Sequence, residues 1–493
     1  MPEADGGPSV VVVGAGITGM AAAWELVGGP AADGVRVTVL EAGDRPGGKL
    51  QAVQVGDRTV DVAADAFVAR RPEATALAAE LGIADKLVEV AAGGASVFAR
   101  GRLRPLPAGL ALGVPTRWWP LARSGILSPL GSLRAALDLV IPARSGPGGA
   151  SGGQRADRAV GDVVGERLGR GVVDHLADPL IGGINAGSVD QLSAAAAFPG
   201  LLPAAARGGS LMRALRLPPA SSPPNGPRPE GSSGGSALFA TVAGGTNALA
   251  SALARALGER GVTLRTGAPV AALDPKGTGW RIELASGEVI EADGVVVATP
   301  APVAASLLDG AVPDASALLA PIEYASVTVV TLVWPEAQVP AHLTGTGFLV
   351  PRTERVGGQP ALITGCTYLD RKWPLLRRSG EVLLRASVGR FGDDRAAALG
   401  DDELVGRVTG ELARILGVSG TATHATVTRW PDALPQYRPG HLERMASLQL
   451  AVARAGTLGV AGAFVAGVGI PACIGSGRSA ARDVRASMAG VQR

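Results

Sequence analysis

The sequence predicts an α/β fold organised around a buried parallel sheet, and three observations predict it. An apolar run, Val10–Val13, feeds directly into a glycine-rich turn and a small-residue helical pattern. A second apolar-rich run, Val35–Leu40, ends on a carboxylate, Glu41. Further valine-rich segments, at 292–300 and 460–466, arrive late in the chain, so the nucleotide fold is expected to be discontinuous.

The first strand and turn read as strand, Gly14-Ala15-Gly16-Ile17-Thr18-Gly19, then helix from Met20 to Val27. Gly14 allows the tight turn, Gly16 lets backbone approach a pyrophosphate, and Gly19 lets the helix pack on the strand. Phosphates then sit at the helix N-terminus, where free N–H groups and the helix dipole favour negative charge. This is a Rossmann-like dinucleotide pattern. Glu41, followed by Ala42, closes the second strand, where a carboxylate accepts bonds from a ribose diol. Its spacing from the glycines exceeds the usual ~20 residues. The loop Gly28–Gly34, with Pro30 and Asp33, accounts for the excess as an inserted turn.

The remaining elements follow in order. Residues 56–67 read as strand and turn, and Ala74–Leu87 as a helix closed near Gly82. Gly101–Pro107 is extended, because Pro105 and Pro107 disfavour helix. Pro107–Ile141 is apolar and carries Trp118, Trp119, Arg117 and Arg123, a pattern that fits either a helix pair at a lipid interface or a buried helical domain with a cationic rim. Arg144–Arg155 and Leu217–Ser236 are low-complexity loop insertions that cannot bury enough apolar surface to offset the entropy of ordering. Helices are expected at 156–168, 172–177 and 192–198, with a glycine-rich turn at Pro179–Gly187. After the helix Ala248–Arg260, a β-rich block runs from 262 to 300. Strands are expected at 324–334, 347–350, 362–364 and 381–388, and helices at 402–416 and 478–489.

Composition narrows the class. A chain of 493 residues with 47% hydrophobic content implies two or three well-buried domains. A net charge of +3 with no basic run interleaved with aromatics gives no nucleic-acid footprint. Two cysteines, Cys366 and Cys473, make no disulfide framework and fit a reducing, cytoplasmic setting. The four histidines lack metal-ligand spacing. The N-terminus lacks the basic and apolar regions of a signal peptide. The uncharged stretch Ala455–Gly477 is long enough to span a membrane, but its repeated glycines and Pro471 favour a buried strand followed by a ligand-hugging loop.

Asp44-Arg45-Pro46-Gly47-Gly48-Lys49, directly after Glu41, resembles the Arg-x-Gly-Gly signature of the flavin-binding amine oxidase superfamily. More specifically, the chain resembles the protoporphyrinogen/coproporphyrinogen oxidase family over nearly its whole length. The resemblance rests on Leu103–Pro107, Pro179–Gly187, Leu192-Ser193, GTGFLVP at 345–351, Leu384-Arg385 with Gly389-Arg390-Phe391-Gly392, WPDALPQY at 430–437 with Gly440-His441, and GVGIPACIGSG at 467–477. It implies a discontinuous FAD-binding domain (1–90, 237–310 and 440–493), a helical apolar domain (91–216), a disordered loop (217–236) and a β-rich substrate domain (311–439). The implied reaction is oxidation of coproporphyrinogen III by dioxygen in haem biosynthesis, with protoporphyrinogen IX as the alternative substrate. An implied partner is a ferrochelatase, and the stretch 107–141 leaves peripheral membrane contact as one of its two readings.

Carried over residue by residue, the resemblance assigns Gly14, Gly16, Ile17, Thr18 and Gly19 to the FAD diphosphate and Glu41 to the ribose. Arg45, Gly48 and Lys49 line the diphosphate and ribityl. Ala63, Ala64, Asp65 and Ala66 fall where the family's loop meets the flavin ring, Val270 where backbone meets adenine, and Val468, Gly469 and Ile470 at the isoalloxazine edge. Trp430 fits beside the ring or in the core equally well. Substrate propionates need cations; Arg104 is the first candidate, with Arg71, Arg117 and Arg385 as helpers. No side chain is assigned a catalytic role, since the flavin carries the chemistry. Three other readings share the flavin segments: an amine oxidase, disfavoured by only 3% aromatic residues; a carotenoid desaturase; and a non-catalytic flavin and porphyrin carrier.

Overall fold

The computed structural model describes residues 7–28, 34–91, 93–141, 156–217, 239–341 and 343–491. The insertion at 144–155, most of that at 217–236, and most of the 28–34 loop lie outside the described residues.

Five short strands form the parallel sheet: β1 (Ser9–Val13), β2 (Arg36–Leu40), β3 (Thr263–Arg265), β4 (Gly294–Val297) and β5 (Leu458–Val460), in the order β3-β2-β1-β4-β5. Every pairing is parallel, with Val10 opposite Val37 and Gly294. Alternate side chains leave a strand on opposite faces, so Val10 and Val12 enter one core and Val11 and Val13 the other. A strand buried on both sides is therefore apolar at every position. The chain supplies these strands from four distant segments.

The first helix, Ile17–Val27, begins directly after the glycine turn. A Cβ on Gly19 would lie 1.9 Å from the Gly14 carbonyl oxygen, so a side chain there would force the helix off the strand. The C-terminal helix, Ile470–Val491, packs beside it, and a Cβ on Gly477 would lie 2.0 Å from the Thr18 carbonyl oxygen. Here the structure corrects the expected loop at 467–477. Only Gly467–Gly469 is loop, and Gly477 beyond it lets the two helices approach. The segment 460–466 is likewise not one strand: β5 ends at Val460 and Ala463–Ala466 is a helical turn.

A second, seven-stranded sheet runs His424–Pro435, Tyr324–Pro335, Glu381–Val388, Ile363–Tyr368, Gly347–Leu349, Ala95–Ala99, Arg102–Pro105. Its last two strands come from the segment expected to open the helical domain; residues 95–105 instead extend this sheet's edge. All neighbours are antiparallel except Gly347–Leu349 with Ala95–Ala99. A helical block at 118–141 and 156–217 packs its own core around Leu121, Val164, Leu176 and Leu192.

The expected turn at Pro179 is a further correction. Val173–Gly182 winds as a π-helix with Pro179 inside it, and Gly183–Asn185 adds one more turn. The coil ends at Ala186, held at φ 45°. The Asn185 side chain donates to the Ile181 carbonyl (2.9 Å) and its own carbonyl accepts from Gln436 (2.9 Å). The wide π-turn is an uncommon geometry that recurs at functional sites.

Candidate active site and cofactor cleft

One continuous cavity of about 770 Å³ lies between the two sheets and the π-helix, in the upper part of the ~300–1,000 Å³ range of small-molecule sites. Its walls fall into two groups. The parallel sheet and its loops contribute Gly14, Gly16, Ile17, Thr18, Glu41, Ala42, Gly48, Lys49, Val270, Val468, Gly469 and Ile470. Ala63, Ala64 and Trp430 also line it. The second group comes from the π-helix and the seven-stranded sheet: Asp178, Gly182, Val329, Thr364, Ser387 and Arg390, among others.

The parallel-sheet side is organised by Glu41. One carboxylate oxygen accepts from the Ala15 N–H (2.8 Å) and the other from the Gly43 N–H (2.8 Å). This ties the end of β2 to the glycine turn. Gly47 donates to the Ala15 carbonyl (2.8 Å) and lies bridged to Gly16. A Cβ on Gly16 would meet nothing within 4 Å, so the backbone there faces open cleft. That is the cradle a diphosphate requires. Burial lowers the pKa of Lys49, which lines the cavity beside this turn. These residues fit FAD. Trp430 lines the cavity while its indole N–H donates to the Val62 carbonyl (2.9 Å), which fixes the loop carrying Ala63 and Ala64.

Several residues expected in the site lie elsewhere. Gly19 is covered by the helix packing described above. Arg45 folds back on its own loop, donating to the Pro46 and Gly48 carbonyls and to the Gln51 side chain (2.6 Å); it braces the loop and does not line the cavity. Asp65 turns away to a buried cluster, pairing with Arg385 (2.9 Å) and Lys372 (2.8 Å) and accepting from the Trp373 indole (2.9 Å). Burial alone would raise its pKa, but Arg385 and Lys372 more than offset that and hold it below the ordinary carboxylate range. Ala66 is likewise outside the cavity wall.

None of the four expected propionate cations faces the cavity. Arg385 is consumed by Asp65 and donates to the Asp61 carbonyl (2.9 Å). Arg104, on an edge strand, donates across its hairpin to the Ala99 carbonyl (3.2 Å). Arg71 pairs with Glu73 (2.7 Å), and Arg117 is exposed at the start of the helix Trp118–Ser124. The polar groups that do face it were missed: Asp178, Ser387, Thr364 and Arg390. The one signal for Arg390 was its place in the Gly389–Gly392 motif.

A glycine cradle closed by a carboxylate, continuous with a cavity walled by the π-helix and the seven-stranded sheet, fits a flavin-dependent oxidoreductase. Residues 17–485 match the family described as flavin containing amine oxidoreductase, and the chain belongs to it. It is 32% identical to the coproporphyrinogen III oxidase of Bacillus subtilis, with 97% of this chain and 98% of that protein aligned. It is 35% identical to the Propionibacterium freudenreichii protein of the same name (96% and 90% covered), and 29% identical to the protoporphyrinogen oxidase of Bos taurus (97% and 98% covered). Among solved structures, one from Exiguobacterium sp. 255-15 ascribed to a protoporphyrinogen oxidase superposes with a TM-score of 0.81 at 28% identity, covering 97% of this chain and 99% of that one. A redesigned putrescine oxidase shares the fold with a TM-score of 0.67 at 17% identity, at the same coverages.

Proposed function

We propose that this chain is an FAD-dependent, dioxygen-using oxidase that converts coproporphyrinogen III to coproporphyrin III. The observation that carries the reading is the continuous cavity of about 770 Å³, walled on one side by the glycine turn and on the other by the π-helix and the seven-stranded sheet, in a chain about a third identical over nearly its whole length to proteins of that name. The sparseness of aromatic residues supports a porphyrinogen over an amine: among the described residues the rings that line the cavity are Tyr324, Trp430 and Phe464.

FAD, when bound, supplies the two-electron acceptor. The chain's residues have the simpler task of holding and shielding. Gly14, Gly16, Ile17 and Thr18 receive the diphosphate, with Gly48 and Lys49 opposite. Glu41 and Ala42 take the ribose, Val270 the adenine, and Ala63, Ala64, Trp430, Val468, Gly469 and Ile470 the ring system. Val327, Val329 and Leu434 give the substrate side an apolar wall that excludes water. The net reaction is three two-electron oxidations, with three dioxygen molecules reduced to three of hydrogen peroxide.

Aerobic turnover of coproporphyrinogen III, protoporphyrinogen IX and an amine panel tests the reading. The expected result is the highest kcat/KM for coproporphyrinogen III, with three peroxides per porphyrin. Faster oxidation of an amine, or porphyrin formation without oxygen uptake, overturns it.

The apolar stretch after Pro107 supports peripheral membrane contact. No helix among the described residues is long and apolar enough to cross a membrane. Instead Trp119, Leu130, Leu133, Val140 and Ile141 stand exposed, Leu130 at 79%, with Arg117 and Arg123 on the same stretch and Arg123 over the Trp119 ring at 5.4 Å. Apolar tips ringed by arginine suit an anionic bilayer surface. Co-sedimentation with vesicles containing anionic lipid, lost in a Leu130→Gln/Leu133→Gln variant, is the expected result; equal pelleting of the two proteins counts against it.

A further inference from the structure

Arg390 is the one arginine that lines the cavity among the described residues, and it is placed there by rigid elements. Gly389, at φ 84°, ends the strand Glu381–Val388. The next residue but one, Phe391, donates its N–H to the Ala186 carbonyl (2.7 Å), which ties the loop to the end of the π-helix. Arg390 is partly buried, its side chain 11% exposed, and its guanidinium makes no hydrogen bond to any described residue. Its ion pair with Asp178 Oδ2 is loose, at 3.8 Å.

The groups around it explain why no internal partner serves. Asp178 Oδ1 accepts from the Val189 N–H (3.2 Å), and Oδ2 lies 3.3 Å from Arg352 Nε without a hydrogen bond of good geometry. Arg352 also donates to the Gly187 carbonyl (2.7 Å). Asp393, the other nearby carboxylate, is held from both oxygens by Arg395 (2.8 and 2.7 Å). Two arginines thus share one carboxylate, Asp178, which leaves one positive charge in excess at the cavity wall. A largely buried guanidinium with only a loose ion pair is costly unless a further anion completes it. Its planar fork matches a carboxylate bidentately.

We propose that Arg390, backed by Asp178 and Arg352, anchors a propionate carboxylate of the tetrapyrrole, the role expected of Arg104. This rests on the porphyrinogen reading above and adds the residue that selects for the acid. Asp178 is a positioning residue, aligned against Arg352 on one side and Arg390 on the other. Lys49, the cavity's other cation, stands on the glycine-turn side and belongs to the cofactor.

The test compares coproporphyrinogen III with its tetramethyl ester, which keeps the macrocycle and removes every carboxylate. KM for both is measured for the FAD-loaded wild type, Arg390→Gln and Arg390→Lys. Binding of coproporphyrin III and its ester is titrated in parallel by porphyrin fluorescence. The expected result for Arg390→Gln is a KM and Kd raised about ten- to a hundredfold for the acid, the scale of a lost charge-assisted bond, with the ester changed less than twofold. Arg390→Lys, which keeps the charge and loses the fork, is expected to fall between, and it decides the matter if the glutamine variant does not retain FAD. An acid-to-ester ratio unchanged by either variant overturns the proposal. Failure of the wild type to oxidise coproporphyrinogen III at all would instead strike the functional reading, and the fluorescence titration still reports whether Arg390 holds a carboxylate.

Discussion

Two buried charge clusters flank the same cavity, and they differ in one respect. Around Asp65, each carboxylate oxygen is matched: Arg385 meets one, Lys372 and the Trp373 indole the other, and Arg385 spends a further N–H on the Asp61 carbonyl. Around Asp178 the account does not close. One carboxylate oxygen lacks a hydrogen bond, and Arg390 has no acceptor among the described residues. The first cluster joins the loop at 61–65 to the seven-stranded sheet and is complete without a ligand. The second is finished by something that is not part of the chain. Completeness of hydrogen bonding, more than the presence of arginine, separates a structural cation from a binding one.

The largest effect follows from breaking the complete cluster. Asp65→Asn leaves Arg385 and Lys372 without the carboxylate that pairs with both. Removing one member of such a group costs about 3–5 kcal/mol, so the variant is expected to unfold many degrees below the wild type in a thermal scan. Asp178→Asn should cost far less stability, because that cluster is already unsatisfied. Equal losses in the two variants would erase the distinction between the clusters.

A pH experiment sharpens it. Asp61, next to this cluster, caps the helix Thr246–Glu259 by accepting from the Thr246 (2.8 Å) and Asn247 (3.2 Å) N–H groups. Burial raises its pKa from 3.8 to about 6, an effect that these two bonds only partly oppose and that the neighbouring Asp65 charge reinforces. A pKa higher folded than unfolded favours the native state most below pH ~4, and the benefit is lost as pH rises through about 6. The cost of ionising Asp61 in place is about 3 kcal/mol. Asp65 has the opposite sign: its contribution is present above pH ~4 and lost on acidification. The Tm difference between wild type and Asp61→Asn should therefore move in the variant's favour between pH 4.5 and 7.5, by a few degrees. A constant difference would mean that Asp61 is not desolvated.

The same contrast explains what was legible from sequence. On the parallel-sheet side the ligand is held by backbone. The strand Val10–Val13, the turn Gly14–Gly19 and the strand ending at Glu41 announce themselves through local spacing, and the structure brings Gly14, Gly16, Glu41, Gly48 and Lys49 to one wall. On the other side, function depends on which charge meets which. Arg385 and Arg390 are five residues apart and equally basic in sequence, but Asp65 lies 320 residues from the first, a pairing that no local pattern reveals. Glycine misled for a related reason. In Gly477 it signals close helix packing as readily as a loop, and Pro179 marked a turn by ordinary preference although a π-helix absorbs it.

The smallest expected effect concerns Arg104, whose position in Leu103–Pro107 made it the first candidate for a propionate. In the fold it bonds a carbonyl five residues back, on the neighbouring strand of the hairpin, and Gly125 packs against its guanidinium. A single hydrogen bond from a partly exposed side chain contributes about 0.5–1.5 kcal/mol, so Arg104→Ala is expected to lower Tm by no more than a few degrees. Its KM for coproporphyrinogen III should stay within twofold of wild type, where Arg390→Gln departs by tenfold or more. The two variants remove the same charge from the same seven-stranded region, so net electrostatic attraction of an acidic substrate falls equally in both. Only direct contact distinguishes them. If Arg104→Ala raises KM as much as Arg390→Gln, the substrate is being gathered by the protein's overall field, and the cavity wall has no privileged cation.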